Sequence, residues 1–158
     1  MGIFEPETVA LLESGCSISV ATVGPDGAAH ASRGWGLTVV ADGRHVRLLL
    51  DAEESTTLTN LAGGGPIAVT AVSVPTLHAV QLKGTADEPT ATWDAGDLAH
   101  AASHLDDFIA EVNRVEGTPA VLLERLRPTT FAVCTITVTE VFDQTPGPSA
   151  GSRVGAAP

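Results

Sequence analysis

The sequence predicts a mainly β fold, with six antiparallel strands closing or nearly closing into a barrel and a few helices at its periphery. Three observations predict it. Strand-like runs are separated by turn signals, one amphipathic helix stands before the last run, and the apolar residues are chiefly Ala, Val, Leu and Ile. Aromatics make up only 4% of the 158 residues and Tyr is absent, so the core must be built from small branched side chains, which suit a pleated sheet.

Residues 5–14 read as a short helix, with Pro6 in its first turn, Gly15 just past its end, and Val9, Leu11 and Leu12 toward the core. Residues 16–23 read as a strand. Gly24-Pro25-Asp26-Gly27 ends it, because proline presets φ and glycine accepts positive φ. A second strand covers 28–40, Ala41-Asp42-Gly43 makes a hairpin turn, and a third strand covers 45–50, giving an antiparallel meander. Residues 53–61 are a short helix closed by Gly63-Gly64-Gly65-Pro66, followed by strands at 67–74 and 77–86 split by Pro75.

The clearest helix spans 94–116. Leu98, Ala101, Leu105, Phe108 or Ile109, and Val112 recur at three- and four-residue steps, Asp94 or Asp97 caps its start, and Gly117 closes it. Residues 119–126 add a helical turn or two. Residues 131–142 form the last strand, apolar on both faces. That pattern predicts that the strand meets a second subunit, so Ile136→Asp or Val138→Asp would place a carboxylate in an apolar seam. The domain is expected to span 1–142. Residues 143–158 form a Pro/Gly-rich tail whose composition denies a ladder.

A net charge of −11 repels phosphate backbones, so nucleic acid and anionic membrane are not expected partners. No run approaches the ~20 apolar residues of a membrane helix, and Met1 to Pro6 shows no secretory pattern, so a cytoplasmic protein is expected. Cys16 and Cys134 lie in apolar runs and read as small buried hydrophobes. Lys83 is the only lysine, so an anionic ligand must be held by few charges or by backbone N–H groups.

Four patterns carry possible chemistry. Arg33, between Ser32 and Gly34 and two residues before Trp35, is placed either to fork onto a phosphate or carboxylate in a cleft or to stand at the surface beside a packed tryptophan. Ser55-Thr56-Thr57 at a helix start offers hydroxyls and N–H groups to an anion, but Glu53-Glu54 just before them argues for a plain cap. Gln81 and Lys83 share one strand face, either toward a heterocycle edge or toward solvent. His100 and His104 have metal-ligand spacing, but no third ligand accompanies them. They fall off the apolar stripe, so a solvated face and no metal are expected.

The order of these elements resembles the FMN-binding split-barrel proteins related to pyridoxamine 5′-phosphate oxidase. The likeness rests on the Pro25-Asp26-Gly27 turn, Ala31-Ser32-Arg33, Leu49-Leu50-Asp51, the Ser55 helix with Asn60-Leu61, Ile67-Ala68-Val69-Thr70 and Val80-Gln81-Leu82-Lys83-Gly84, and covers residues 5–142. It implies a homodimer with FMN, or a deazaflavin, in clefts between subunits, moving a hydride to or from a small molecule. Arg33, Ser55 and Thr57 would hold the phosphate, Thr56 would belong to the same cofactor-binding run, and Trp35, Gln81 and Lys83 would lie near the ring or its rim. The family's Ser-Arg-Lys run is here Ser55-Thr56-Thr57, without either cation, and the family's fifth-strand glutamine aligns nearer Ala79 than Gln81. The alternative is a non-redox ligand-binding or sensor protein of the same fold.

Overall fold

Leu37, Leu48, Val69, Leu82 and Ile136 are almost wholly removed from solvent inside a single closed barrel. The structure is a computed structural model and describes residues 2–91 and 93–154. Its strands are β1 (Ser17–Val23), β2 (Ala29–Val39), β3 (His45–Asp51), β4 (Gly65–Val72), β5 (Ala79–Ala86) and β6 (Phe131–Asp143). They pair antiparallel in the order β1-β2-β3-β6-β5-β4, and β4 closes onto β1. The predicted barrel is therefore the observed one. The meander supplies half the wall, and β6 crosses over to join β3 to β5.

Alternation sets the inside from the outside. In β1, Ile18, Val20 and Thr22 are buried while Ser19, Ala21 and Val23 are exposed; in β4, Ile67, Val69 and Ala71 point in. Gly34 is required where β2 crosses the barrel interior, because a Cβ there would collide with Ile18 and Leu48 side chains. Gly84 is required beside a bulge in the β5–β6 ladder, because a Cβ would meet the Thr137 carbonyl.

Helix α1 (Pro6–Leu12) packs Leu11 and Leu12 against the barrel core, and α2 (Ser55–Asn60) lies against β1 and β2. Helix α3 (Ala95–Glu116) covers part of the outer wall of β2, β3 and β6. Its buried face is Ala101, His104, Leu105, Phe108, Ile109 and Val112, whereas Leu98 is exposed. Helix α4 (Ala120–Leu123) and a 3₁₀ turn (Glu124–Leu126) return the chain to β6. No helix among the described residues is long and apolar enough to cross a membrane.

Two expectations are corrected. The apolar character of both faces of β6 is satisfied within one subunit: Cys134, Ile136, Val138 and Val141 fill the barrel, while Val133 packs outside it with Leu49 and Ala101 of α3. Ile136 and Val138 are thus core residues, and carboxylates there would test folding rather than an interface. His100 and His104 are not on a solvated face. His104 is 4% exposed and its Nδ1 bonds the Ser14 carbonyl at 2.8 Å, and His100 Nε2 bonds the Leu37 carbonyl at 2.8 Å. Over the described residues 144–154 the tail forms no helix or ladder strand, as its prolines and glycines predict, but it is held in turns: it doubles back at Asp143, whose Oδ1 accepts from Thr145 N–H and whose Oδ2 accepts from Ser149 Oγ. Arg153 then bridges to Phe142, and Val154 N–H donates to the Val141 carbonyl.

The cysteines are free and buried as expected, and burial raises Cys16 to about 11 and Cys134 to about 12, so both remain protonated thiols at neutral pH.

Candidate functional site

Strand pairing fixes the geometry of the outer wall that α3 leaves uncovered. Arg33 pairs with Ser19, Ser19 with Thr70, Thr70 with Gln81, and Gln81 with Phe142. These five side chains point outward in one row, and Gln81 Nε2 donates to Thr70 Oγ1 at 3.0 Å. The adjacent row is Ala31, Ala21, Ala68, Lys83 and Glu140. The wall is therefore a shallow floor of small side chains, with a cation on β2 at one side and a cation on β5 at the other. Arg33 and Gln81 lie three strands apart, roughly 14 Å at the usual inter-strand spacing.

Two grooves divide the predicted site residues. The first has a volume of about 430 Å³ and is lined by Ser19, Ser32, Arg33, Trp35, Asp51 and Glu54, with Ala31. Arg33 is exposed, its guanidinium carbon sits 5.7 Å from the centre of the Phe108 ring, and among the described residues it forms no ion pair. Trp35 is 6% exposed and forms part of the same groove. The second groove, about 380 Å³, is lined by Ala21, Ala68, Lys83, Thr85, Thr139 and Glu140, among others. Lys83 Nζ lies 4.7 Å from the centre of the Phe142 ring, and Thr139, the extra residue of the bulge, donates to the Lys83 carbonyl.

The hydroxyl cluster of α2 is arranged differently from the expectation. Ser55 and Thr56 are exposed and line neither groove. Thr57 is fully buried, its hydroxyl bonded to Ser32 Oγ at 2.7 Å and its N–H donated to Glu54 Oε1 at 3.4 Å. Glu54 Oε1 also meets His30 Nε2 at 3.1 Å. The carboxylate of Glu54 thus takes the cap position at α2. The residues that sequence reasoning missed are Glu54, Asp51 and Ser32. The signal for Glu54 was present in Glu53-Glu54 ahead of the hydroxyl run; Ser32 becomes visible only when β2 and α2 are brought together.

A flavin mononucleotide can be tested against this arrangement. Its ring half fits: Ser19 and Ala31 beside Trp35 present a floor of small side chains to a flat heterocycle. Its phosphate half does not fit at α2. The first groove holds one guanidinium against two carboxylates, and the Thr57 N–H and hydroxyl are already bonded. No metal-binding cluster of His, Cys, Asp or Glu occurs among the described residues.

No protein-family model matches the chain, and no curated protein matches it. Solved structures do. HupZ of Group A Streptococcus is 19% identical over 94% of this chain and 99% of its own, with a TM-score of 0.58. A protein described as a putative pyridoxamine 5′-phosphate oxidase from Lactobacillus delbrueckii is 22% identical over 90% and 95%, with a TM-score of 0.54. An F420 reductase is 16% identical over 84% and 93%, with a TM-score of 0.50. Identities this low speak to architecture, and on that architecture they agree with the strand order found here: the chain has the split-barrel fold of the pyridoxamine 5′-phosphate oxidase-like proteins.

Proposed function

We propose that the chain is a homodimeric split-barrel oxidoreductase that seats a flavin or deazaflavin ring on the uncovered wall and acts on a small molecule. The observation that carries this reading is the Arg33 groove: an arginine without an ion pair among the described residues, braced on Phe108 beside Trp35, at the edge of a floor of small side chains. The names of two structural neighbours, a putative pyridoxamine 5′-phosphate oxidase and an F420 reductase, support the same class of cofactor. A flavin or deazaflavin supplies hydride transfer when bound. This chain's own residues supply position: Arg33 donates to an acceptor on the ligand, and Trp35 bounds the groove.

The separation of Arg33 from Gln81 and Lys83 favours a dimer. Two copies facing each other bring the β2 side of one wall near the β5 side of the other, which lets both predicted sets serve one cleft. The exposed Ala21, Val23 and Ala31 would be covered in the same step.

A second reading, a non-redox ligand-binding protein, is favoured by one observation: Glu54 fills the cap position where the resemblance would place phosphate contacts. The experiment that separates them is the absorption and fluorescence spectrum of the purified protein with added flavins, together with sedimentation. The flavin reading expects a dimer that quenches flavin fluorescence at micromolar concentrations. A stable dimer with no flavin response at tens of micromolar gives the second reading.

A further inference from the structure

The first groove carries an imbalance of charge that bears on which flavin it takes. It holds Arg33 against Asp51 and Glu54. Neither carboxylate is free to swing away. Glu54 Oε1 is bonded to the Thr57 N–H and to His30, and Asp51 Oδ1 accepts from the Glu53 N–H at 2.8 Å. Arg33 is itself placed over Phe108 rather than paired with an acid. Within one subunit the other cation of the wall, Lys83, lies on β5, three strands away, beyond the ~8–10 Å over which exposed charges act in ordinary salt. A facing copy would bring that β5 edge with Lys83 and Glu140 side by side, adding no net positive charge. A phosphomonoester entering here gains one guanidinium and meets two fixed carboxylates. Sugar-alcohol hydroxyls meet the opposite situation, because a carboxylate accepts from O–H groups and its remaining lone pairs are available.

We infer that the Arg33 groove selects a phosphate-free flavin, riboflavin or its deaza analogue, over FMN, with Asp51 and Glu54 accepting from the ribityl hydroxyls and Arg33 donating to a ring carbonyl. This inference rests on the flavin-binding reading above and names the ligand within it. The same two carboxylates that spoil a phosphate site become the recognition elements of a polyhydroxyl chain.

The test is a pair of fluorescence-quenching titrations of the full chain, one with riboflavin and one with FMN, each at low and high salt. Riboflavin is expected to bind about tenfold more tightly at low salt, the order expected from uncompensated charge near a protein surface. The preference shrinks at high salt as the repulsion is screened. The double variant Asp51→Asn with Glu54→Gln keeps an acceptor for the Thr57 N–H and is expected to move the FMN-to-riboflavin affinity ratio about tenfold toward FMN. Equal or tighter binding of FMN by the unmodified chain overturns the inference and leaves the flavin reading standing. So does a preference that neither salt nor the double variant moves. No response to either flavin overturns the flavin reading and the inference together. The salt dependence is read on the unmodified chain, so the test does not depend on the variant folding.

Discussion

The two outer walls of this barrel are built from the same kind of strand and end differently. Across β3, β6 and the later part of β2, α3 seals the surface. Leu49 and Val133 are buried with Ala101, Arg47 holds Asp97 through two bonds at 3.1 and 2.6 Å, and His104 fastens the helix to the chain leaving α1. Across the outer face of β1, β4, β5 and the start of β2, no helix of the described residues seals the wall as α3 does, and most outward side chains are alanine, serine or threonine. The covered wall uses its polar groups in pairs. The bare wall keeps Arg33 and Lys83 against aromatic rings, without carboxylate partners among the described residues. Helix packing and ion pairing are concentrated on one side of the barrel, and the proposed recognition surface lies on the other.

The largest test of that contrast compares one side chain from each wall. Leu105, 1% exposed under α3, is expected to cost about 2–5 kcal/mol when changed to Ala. Val23, 45% exposed on the bare wall, is expected to change stability by less than about 0.5 kcal/mol. Urea denaturation of both variants reads the difference. If a second copy covers the bare wall, the midpoint of the unmodified chain rises with protein concentration and Val23→Ala weakens that dependence.

Acid provides the next test. Burial, the largest cause, pushes His104 down to about 4, against the partial opposition of its bond to the Ser14 carbonyl. The unfolded chain takes up this proton near pH 6.5 and the folded one does not, so the contribution of a neutral His104 is complete above that pH. It is lost progressively as pH falls toward 4, and amounts to about 3 kcal/mol over the full range. Melting temperatures followed from pH 7 downward should fall more steeply for the unmodified chain than for His104→Gln. Parallel curves would show that the histidine does not hold α3 in its neutral form.

Arg47→Met tests the ion pair of the same wall. Burial alone would raise Asp97, but the Arg47 hydrogen bonds and the Asp94 N–H outweigh it and hold the carboxyl below its ordinary value. Removing the guanidinium leaves a buried carboxylate that also closes the capping box of α3. The expected cost is about 1–2 kcal/mol, kept at that level because the arginine is partly solvated and its attraction screened. Thermal melts in low salt read it.

Much of this contrast was legible in the sequence and part of it was not, for a physical reason. Turn residues such as Pro25-Asp26-Gly27 and the three- and four-residue apolar steps of α3 act locally, so strands and helices fell within a few residues of their observed ends. His104 acts at long range. Its partner, the Ser14 carbonyl, is ninety positions earlier, and a histidine among alanines looks polar until that acceptor is brought beside it. The apolar outer face of β6 was visible, but what covers it was not: α3 does, where a second subunit was expected. The tail carries prolines and glycines that forbid a ladder, yet Asp143 supplies side-chain acceptors that hold it in turns. At the site, Arg33 and Trp35 were legible as residue types, and Glu54 was legible as an argument against an anion. Their shared groove required the β2–α2 contact.

The smallest expected change in stability falls at Arg33, and it is the one that ties the comparison to function. The guanidinium is exposed and among the described residues it rests on the Phe108 ring, a contact worth about 0.5–1 kcal/mol at a solvated site. Arg33→Ala should therefore cost less than about 1 kcal/mol in urea denaturation, well below Leu105→Ala. Its effect on ligand should run the other way, because a hydrogen bond from a charged donor contributes about 1.5–3 kcal/mol, enough for a tenfold or greater loss of flavin affinity. Arg33→Lys keeps the charge but loses the fork and the flat face, so it should recover only part of that loss. If Arg33→Ala instead destabilises the protein as much as a core truncation while leaving flavin affinity unchanged, Arg33 belongs to the covered wall as a brace for α3, and the division between a stabilising side and a recognising side fails at the residue where the two meet.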